Sequence, residues 1–463
     1  MIINPFIFRA YDIRGIAEAS SKYPVADLTS TAMHFLGLGI GTYIQKHYVK
    51  HIAVGGDNRL TTKTLKKAFI QGLVESGCHA EDIGLSTSPL LYYAVCKFGY
   101  DGGINITASH NPREYNGLKI VGRAGHSICG EEIQKIRRMI SEKNFSKGNG
   151  KISTKQIFPN YLSEMKKKIK IKKPLKLVID AGNGTAGAFA PELFRAWGME
   201  VVELYCDLDG RFPNHPANPE EYENMKELIA KVKETHADIG FGFDGDGDRI
   251  GMIDEKGTFY AADYILLLLA RDLLSRQAGA KIVYDLKSSL ILAENIRKRG
   301  GIPLMEKTGH SFIEQAMKRE GALLAGEVSG HMFFAENYYG FDDALLAGLK
   351  ILEILSKSEK PLSEHFTDLP KTCITPEIKV SCPDNKKFAI VQKITKRFQK
   401  IYPCITIDGV RIEFENNAWG IIRSSNTSPY LTLRFEAPTP QKLAEIQKIV
   451  YEELKHYPEV TGS

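Results

Sequence analysis

Four short stretches carry residues whose types and spacing could do chemistry. The first is Thr107-Ala108-Ser109-His110-Asn111-Pro112. It follows Gly103-Ile104-Asn105-Ile106, an apolar run that reads as a strand. Pro112 has no N–H and disfavours helix at Asn111, so the strand must break into a loop. A hydroxyl, an imidazole and an amide are thereby presented together. Such a loop can hold a phosphate or expose a nucleophile, although an ordinary polar turn has the same composition. The second stretch is Asp244-Gly245-Asp246-Gly247-Asp248-Arg249. Three carboxylates so close repel one another unless a cation neutralises them. The glycines permit a loop tight enough to aim all three at one point, and oxygen ligands of this kind favour Mg²⁺ or Ca²⁺.

The third stretch, Gly326-Glu327-Val328-Ser329-Gly330-His331, ends a short apolar strand. Its carboxylate, hydroxyl and imidazole suit a polyol, since each sugar hydroxyl needs a donor or an acceptor. The fourth, Arg423-Ser424-Ser425-Asn426-Thr427-Ser428, is dense in donors and precedes Pro429. It fits a phosphate, with Arg423 able to bind in bidentate fashion; a plain hairpin turn is the alternative. Lys119, Lys287 and His310 each follow or end an expected strand, where open α/β sheets place their ligands.

Two other patterns compete. Asp244, Asp246 and Asp248 with Glu255 mimic a calcium-binding EF-hand, but Arg249 stands where that loop requires glycine and the flanks read as strands. Gly182-Asn183-Gly184-Thr185-Ala186-Gly187 matches a dinucleotide-binding turn, with Glu203 at about the right distance for a ribose hydroxyl. That reading makes an NAD-dependent dehydrogenase the alternative, yet it explains neither the triple aspartate nor Ser109. Glycine-rich turns also serve close packing.

The elements that must position these loops alternate. Strands are expected at 51–55, 80–85, 175–180, 200–205, 238–243, 249–254, 281–286 and 323–326. Helices are expected at 62–75, 89–97, 131–140, 189–197, 222–235, 262–274, 290–299, 311–318 and 342–355. Such alternation means βαβ-type layers with a mostly parallel sheet. The last region, with helices at 387–399 and 441–454 around two or three strands, reads as a smaller α+β unit. The expected architecture is four domains: three similar α/β domains with mixed sheets plus a smaller C-terminal α+β domain. Their divisions fall at 1–151, 152–255, 256–367 and 368–463. A chain of 463 residues is too long for one core, which agrees.

Composition narrows the partners. Lys+Arg 61 against Asp+Glu 55 leaves a net charge of +6, mild for this length and suited to small anionic substrates. The lysines from Lys166 to Lys173 read as a solvated helix end and linker, so no nucleic-acid partner is expected. Seven cysteines without a C-x-x-C pair argue for a reducing compartment. The N-terminus has neither a basic start nor a long apolar core, and the apolar run from Ile265 to Ala270 is too short for a bilayer. A soluble, cytoplasmic protein with no membrane partner is expected. No heptad or apolar patch predicts an oligomer, so a monomer is expected.

Taken together, the four stretches, in this order, resemble the α-D-phosphohexomutase family, and more closely its bacterial phosphomannomutase/phosphoglucomutase branch. The resemblance runs from Phe8-Arg9-Ala10-Tyr11-Asp12-Ile13-Arg14-Gly15 to the last helix. Departures are small: Gly56 stands where the family often carries Arg, and Val328 where this branch usually has Met. The resemblance implies that Ser109 carries a phosphoryl group and, with Asp244, Asp246 and Asp248, holds Mg²⁺, with Arg249 adding charge beside it. It implies an isomerase that moves phosphate between C1 and C6 of mannose or glucose phosphates through a hexose 1,6-bisphosphate, with glucose 1,6-bisphosphate as primer. A phosphoserine-dependent phosphohydrolase is the alternative enzyme. Arg14, Lys119 and His331 are implied as candidates for proton transfer or charge stabilisation. Tyr11, Lys287, His310, Glu327, Ser329, Arg423, Ser425, Asn426 and Thr427 are implied as substrate-binding. Room for a turning intermediate implies a last domain that hinges.

Overall fold

The computed structural model describes residues 3–47, 50–425 and 429–462. Its first three sheets repeat one plan that the sequence hides. A central strand (His51–Gly56, Lys176–Asp180 or Lys281–Asp285) lies between two parallel neighbours. One of those neighbours (Gly102–Ile106, Ile239–Phe243 or Leu324–Gly326) then turns back into an antiparallel strand. The sheets are therefore mixed rather than mostly parallel. The fourth sheet is antiparallel throughout, built on the hairpin of Ala418–Ser424 and Tyr430–Ala437. In each domain the turn of this hairpin holds one of the four chemistry-bearing loops.

Expected elements recur within about two residues, and two match end for end: helices Thr62–Glu75 and Tyr222–Thr235. Helix Ser88–Phe98 starts where Thr87 Oγ1 accepts from Leu90 N and stops at Gly99, whose φ is 67°. Helix Ser30–His47 was not expected. Its Leu-Gly-Leu-Gly-Ile-Gly run weakens the helical signal, since glycine costs about 1 kcal/mol against alanine. Packing recovers that cost: a Cβ on Gly37 would lie 2.2 Å from the Phe69 carbonyl, and one on Gly72 2.0 Å from that of His34. Only glycines let these two helices approach so closely.

Two strands lie past the expected divisions. Ile152–Thr154 pairs with His79–Leu85 in the first sheet, and Phe259–Tyr260 pairs with Ile250–Asp254 in the second. The hydrophobic core separates the units unequally. One continuous cluster runs from the first domain through the third, joining Leu91, Tyr161, Phe241, Leu266 and Leu345. The fourth domain has its own core, including Val380, Ile412, Phe435 and Val450. A small cluster of Leu286, Trp419 and Ile421 joins it to the third. Among the described residues, no helix is long and apolar enough to cross a membrane.

Candidate active site

The four hairpin turns converge on one cleft. Residues of all four domains line a cavity of about 340 Å³, among them Arg14, Arg249, Lys287 and Arg423. Ser109 itself is buried. Its Oγ donates to Asp244 Oδ2 at 2.5 Å and lies 3.2 Å from His110 Nδ1. The serine and aspartate loops touch main chain to main chain: a Cβ on Gly245 would fall 2.3 Å from the Ser109 carbonyl oxygen.

Asp244, Asp246 and Asp248 each offer one carboxylate oxygen within 4.8 Å of the others. Asp244 Oδ1 accepts from the main-chain N–H of Asp248 and Arg249. Asp246 Oδ2 accepts from Ser88 Oγ at 2.6 Å and lies 2.7 Å from Lys119 Nζ. Lys119 also bonds Asp248 Oδ2. The remaining oxygens, Asp246 Oδ1 and Asp248 Oδ1, are buried without a hydrogen-bond partner, and Asp248 Oδ1 lies 3.8 Å from His331 Nδ1. Two orphaned hard oxygens beside a serine hydroxyl fit a divalent cation, because a buried carboxylate without a partner is costly. The EF-hand alternative fails here. Asp248 leads into strand Ile250–Asp254, and Glu255 turns away to accept from Ser363 Oγ.

The charges are arranged unevenly. Burial, then its neighbours Asp248 and Asp246, holds the Asp244 carboxyl well above the usual carboxylate range. Burial acts the same way on Asp248, but Lys119, His331 and Arg249 outweigh it and hold that carboxyl below the usual range. Burial opposes the charge of Lys119, yet Asp246 and Asp248 push its ammonium well above its ordinary value. Lys119 is thus a fixed cation. It lies inside strand Tyr115–Gly122, opposite Asn105, and not at a strand end as the sequence suggested. Lys287 does follow strand Lys281–Asp285, whereas His310 opens helix His310–Glu320.

Arg14 reaches the serine loop, with Nη1 donating to Asn111 Oδ1 at 2.7 Å and to the Ala108 carbonyl. Its Nε is held by Asp12 at 2.6 Å. His331 Nε2 accepts from Arg249 Nε at 3.0 Å, while Nδ1 lies 2.6 Å from Asp342 Oδ2. This pairing puts the ring proton on Nδ1. Burial, reinforced by Arg249 against the opposing Asp248, lowers the His331 pKa to about 4. The sequence pattern does not single out Asp342, the partner of His331: it places this residue in a helix that begins only at Ala344, with Asp343 as cap, which leaves Asp342 in the preceding turn.

Glu327, Ser329, Tyr11, His310, Lys287 and Arg423 line the same cavity. Glu327 Oε1 accepts from Gly309 N at 2.6 Å, and Ser329 lines the cavity. Tyr11 meets His310 edge to face at 5.5 Å, and His310 stacks on His331 at 5.6 Å. Lys287 Nζ donates to Glu377 Oε2 at 2.7 Å, a second partner absent from the sequence reading. Arg423 Nε is oriented by Asp408 at 2.8 Å, and Ser425 lines the same wall. Asn426 and Thr427 lie outside the described residues. The glycine-rich turn at Gly182 is not an open cradle. Thr185 N donates to the Gly245 carbonyl, a Cβ on Gly184 would lie 3.0 Å from Gly245 Cα, and Glu203 pairs with Arg195. Gly184 packs the turn against the aspartate loop, Gly182 against Ala217 and Gly187 against the Cys206 main chain, so the turn is filled by the protein itself and the dinucleotide alternative is not supported.

Fold and site together define a class: a four-domain α/β protein whose hairpins bring a buried serine, a cluster of three aspartates and an arginine-lined wall together around one cleft. Family models described as phosphoglucomutase/phosphomannomutase α/β/α domains I, II and III match residues 5–147, 159–257 and 261–373. The model of the C-terminal domain matches 377–453. The chain is 43% identical over 450 residues to a phosphomannomutase/phosphoglucomutase of Pseudomonas aeruginosa, covering 97% of this chain and 95% of that one. It is 42% identical over 446 residues to a phosphoglucomutase of Neisseria gonorrhoeae, covering 95% of each. A crystal structure of a phosphoglucomutase/phosphomannomutase family protein from Burkholderia thailandensis superposes with a TM-score of 0.90 at 40% identity, covering 100% of this chain and 99% of that one. The chain belongs to the phosphoglucomutase/phosphomannomutase family.

Proposed function

We propose that this chain interconverts the 1- and 6-phosphates of mannose and of glucose, with Ser109 as the phosphoryl carrier. The observation that carries this reading is the 2.5 Å contact of Ser109 Oγ with Asp244, beside a cavity lined by Arg14, Arg249, Lys287 and Arg423. Phosphoserine 109 gives its group to the free hydroxyl of a hexose monophosphate. The resulting hexose 1,6-bisphosphate turns in the cavity and returns its other phosphate to Ser109. Arg423 and Ser425, with Asn426 and Thr427, hold the phosphate that is not being transferred. Glu327 and Ser329 hold sugar hydroxyls common to both poses. Tyr11, His310 and Lys287 complete the walls.

Asp244, Asp246, Asp248 and Ser109 would hold Mg²⁺, which supplies positive charge against the transferring group. Lys119 and Arg14 act as fixed cations flanking the serine loop. His331, with Nδ1 on Asp342 and Nε2 accepting from Arg249, orients that guanidinium at the reacting end, and Arg14, Lys119 and His331 are the candidates for proton transfer or charge stabilisation at the attacking hydroxyl. Glucose 1,6-bisphosphate primes the enzyme by phosphorylating Ser109. The protein works as a cytoplasmic monomer.

A panel of hexose 1-phosphates, primed with glucose 1,6-bisphosphate, tests this reading. Formation of mannose and glucose 6-phosphates without inorganic phosphate is expected. Release of phosphate to water would instead identify a phosphohydrolase. Chelation with EDTA should abolish turnover and Mg²⁺ restore it; full activity in EDTA would remove the cation from the account.

A further inference from the structure

Ser109 sits at φ 51°, in the left-handed region that non-glycine residues seldom occupy. Such a backbone persists only where the surroundings impose it. The buried guanidinium of Arg59 supplies that constraint. Its Nη2 donates to the carbonyls of Ser109 at 2.7 Å and Asn111 at 2.6 Å. Its Nη1 donates to those of Pro112 at 2.8 Å and Tyr115 at 3.0 Å. The fifth donor, Nε, is held by Asp57 Oδ2 at 3.1 Å. Every N–H of the fork is used, and four of them grip the main chain of the serine loop. Asp57 is fixed in turn by Thr62 Oγ1 at 2.6 Å.

The same turn is tied to the second domain. Asn58 Nδ2 donates to the Asn183 carbonyl at 2.7 Å, and Thr185 Oγ1 donates to Asn58 Oδ1 at 3.1 Å. Thr185 N in turn bonds Gly245 of the aspartate loop at 3.0 Å. The ring of Phe212, also from the second domain, lies 5.0 Å from the Arg59 guanidinium. The turn at 57–60 therefore spans the two loops that must act together.

We propose that Arg59 is a positioning residue for phosphoryl transfer: it sets the Ser109 hydroxyl against Asp244, Asp246 and Asp248 by holding the serine loop's main chain and bracing it on the second domain. The inference rests on Ser109 being the carrier. Lysine cannot replace the fork, because its three donors radiate from one nitrogen and cannot span four separated oxygens. Arg59 is not among the residues lining the cavity that Arg423 lines, so its loss should be felt in turnover and not in substrate binding.

The test uses the full-length, Mg²⁺-loaded protein with glucose 1-phosphate and glucose 1,6-bisphosphate. The variants are Arg59→Lys, Phe212→Leu, Asn58→Ala and Ser109→Ala, each checked for folding by thermal melting. Misplacement of the nucleophile by about 1 Å predicts a kcat loss of about 10²-fold in Arg59→Lys with KM within about threefold. Phe212→Leu should lower kcat about 3–10-fold in the same pattern. A folded Arg59→Lys with wild-type kcat, or with its loss confined to KM, overturns the inference. If Arg59→Lys does not fold, Phe212→Leu and Asn58→Ala carry the test, and wild-type kcat in both overturns it. Activity surviving in Ser109→Ala would overturn the carrier reading instead. An inactive Ser109→Ala beside a fully active Arg59→Lys would overturn this inference alone.

Discussion

The joint between the first two domains and the joint between the last two are made of different materials. At the first, the serine and aspartate loops interlock so tightly that Gly245 has no room for a Cβ, and the surrounding core continues without a break into the third domain. At the second, the cores are separate, and the contact is polar. Arg411 Nη1 donates to the carbonyls of Leu286 and Ser288, and Arg434 Nη1 to that of Lys287, over a three-residue apolar cluster. Arg411 and Arg434 grip main chain across the second joint, whereas Arg59 grips only its own domain's serine loop, and only the first joint is embedded in shared core. Interiors are close-packed and transmit strain, whereas domains joined by small polar contacts move relative to one another by default. On the proposed function, the contrast predicts that alignment at Ser109 is fixed in advance, while the wall around Arg423 swings with the last domain.

The largest effect expected from breaking this contrast is at the rigid joint. Ser109→Ala should lower kcat by about 10⁴-fold or more, as loss of a nucleophile does. Next, Gly245→Ala would press a methyl group into the Ser109 carbonyl. The loops must then part, and kcat should fall about 10²-fold with KM little changed. At the second joint the signature should reverse. Arg423→Lys keeps the charge but loses the planar fork, so KM should rise about 10-fold while kcat changes less. Steady-state kinetics on the three variants separates the two joints. The smallest effect concerns protonation. With its pKa lowered to about 4 from 6.5, chiefly by burial, His331 should show no titration by NMR between pH 5.5 and 8. The unfolded chain protonates this histidine below its ordinary value and the folded chain does not until about 4, so stability should fall as pH drops from about 6.5 towards 4.

The chemistry was largely legible because each functional loop is a hairpin turn, whose residues are neighbours in sequence. Ser109, the three aspartates, Glu327 and Arg423 could be found that way. The grips were not legible. Arg59 reaches carbonyls some fifty residues away, Glu377 meets Lys287 across two domains, and Asp342 is freed for His331 only because a helix starts two residues later than its pattern suggested. The threefold repeat of the sheet plan was hidden for a similar reason. It lives in strand order, which periodicity does not encode. Helix Ser30–His47 escaped because its glycines serve packing against a neighbour and weaken the local signal.

The central claim is that Ser109 carries the phosphoryl group between the two positions of one sugar. Its most direct test is peptide mapping by mass spectrometry after the Mg²⁺-loaded protein is incubated with glucose 1,6-bisphosphate and then chased with unlabelled glucose 1-phosphate. The account predicts one phosphoryl group on Ser109, passed to the sugar on the chase without release of inorganic phosphate. Phosphorylation at another residue, or a Ser109 phosphoryl group lost to water, would contradict it.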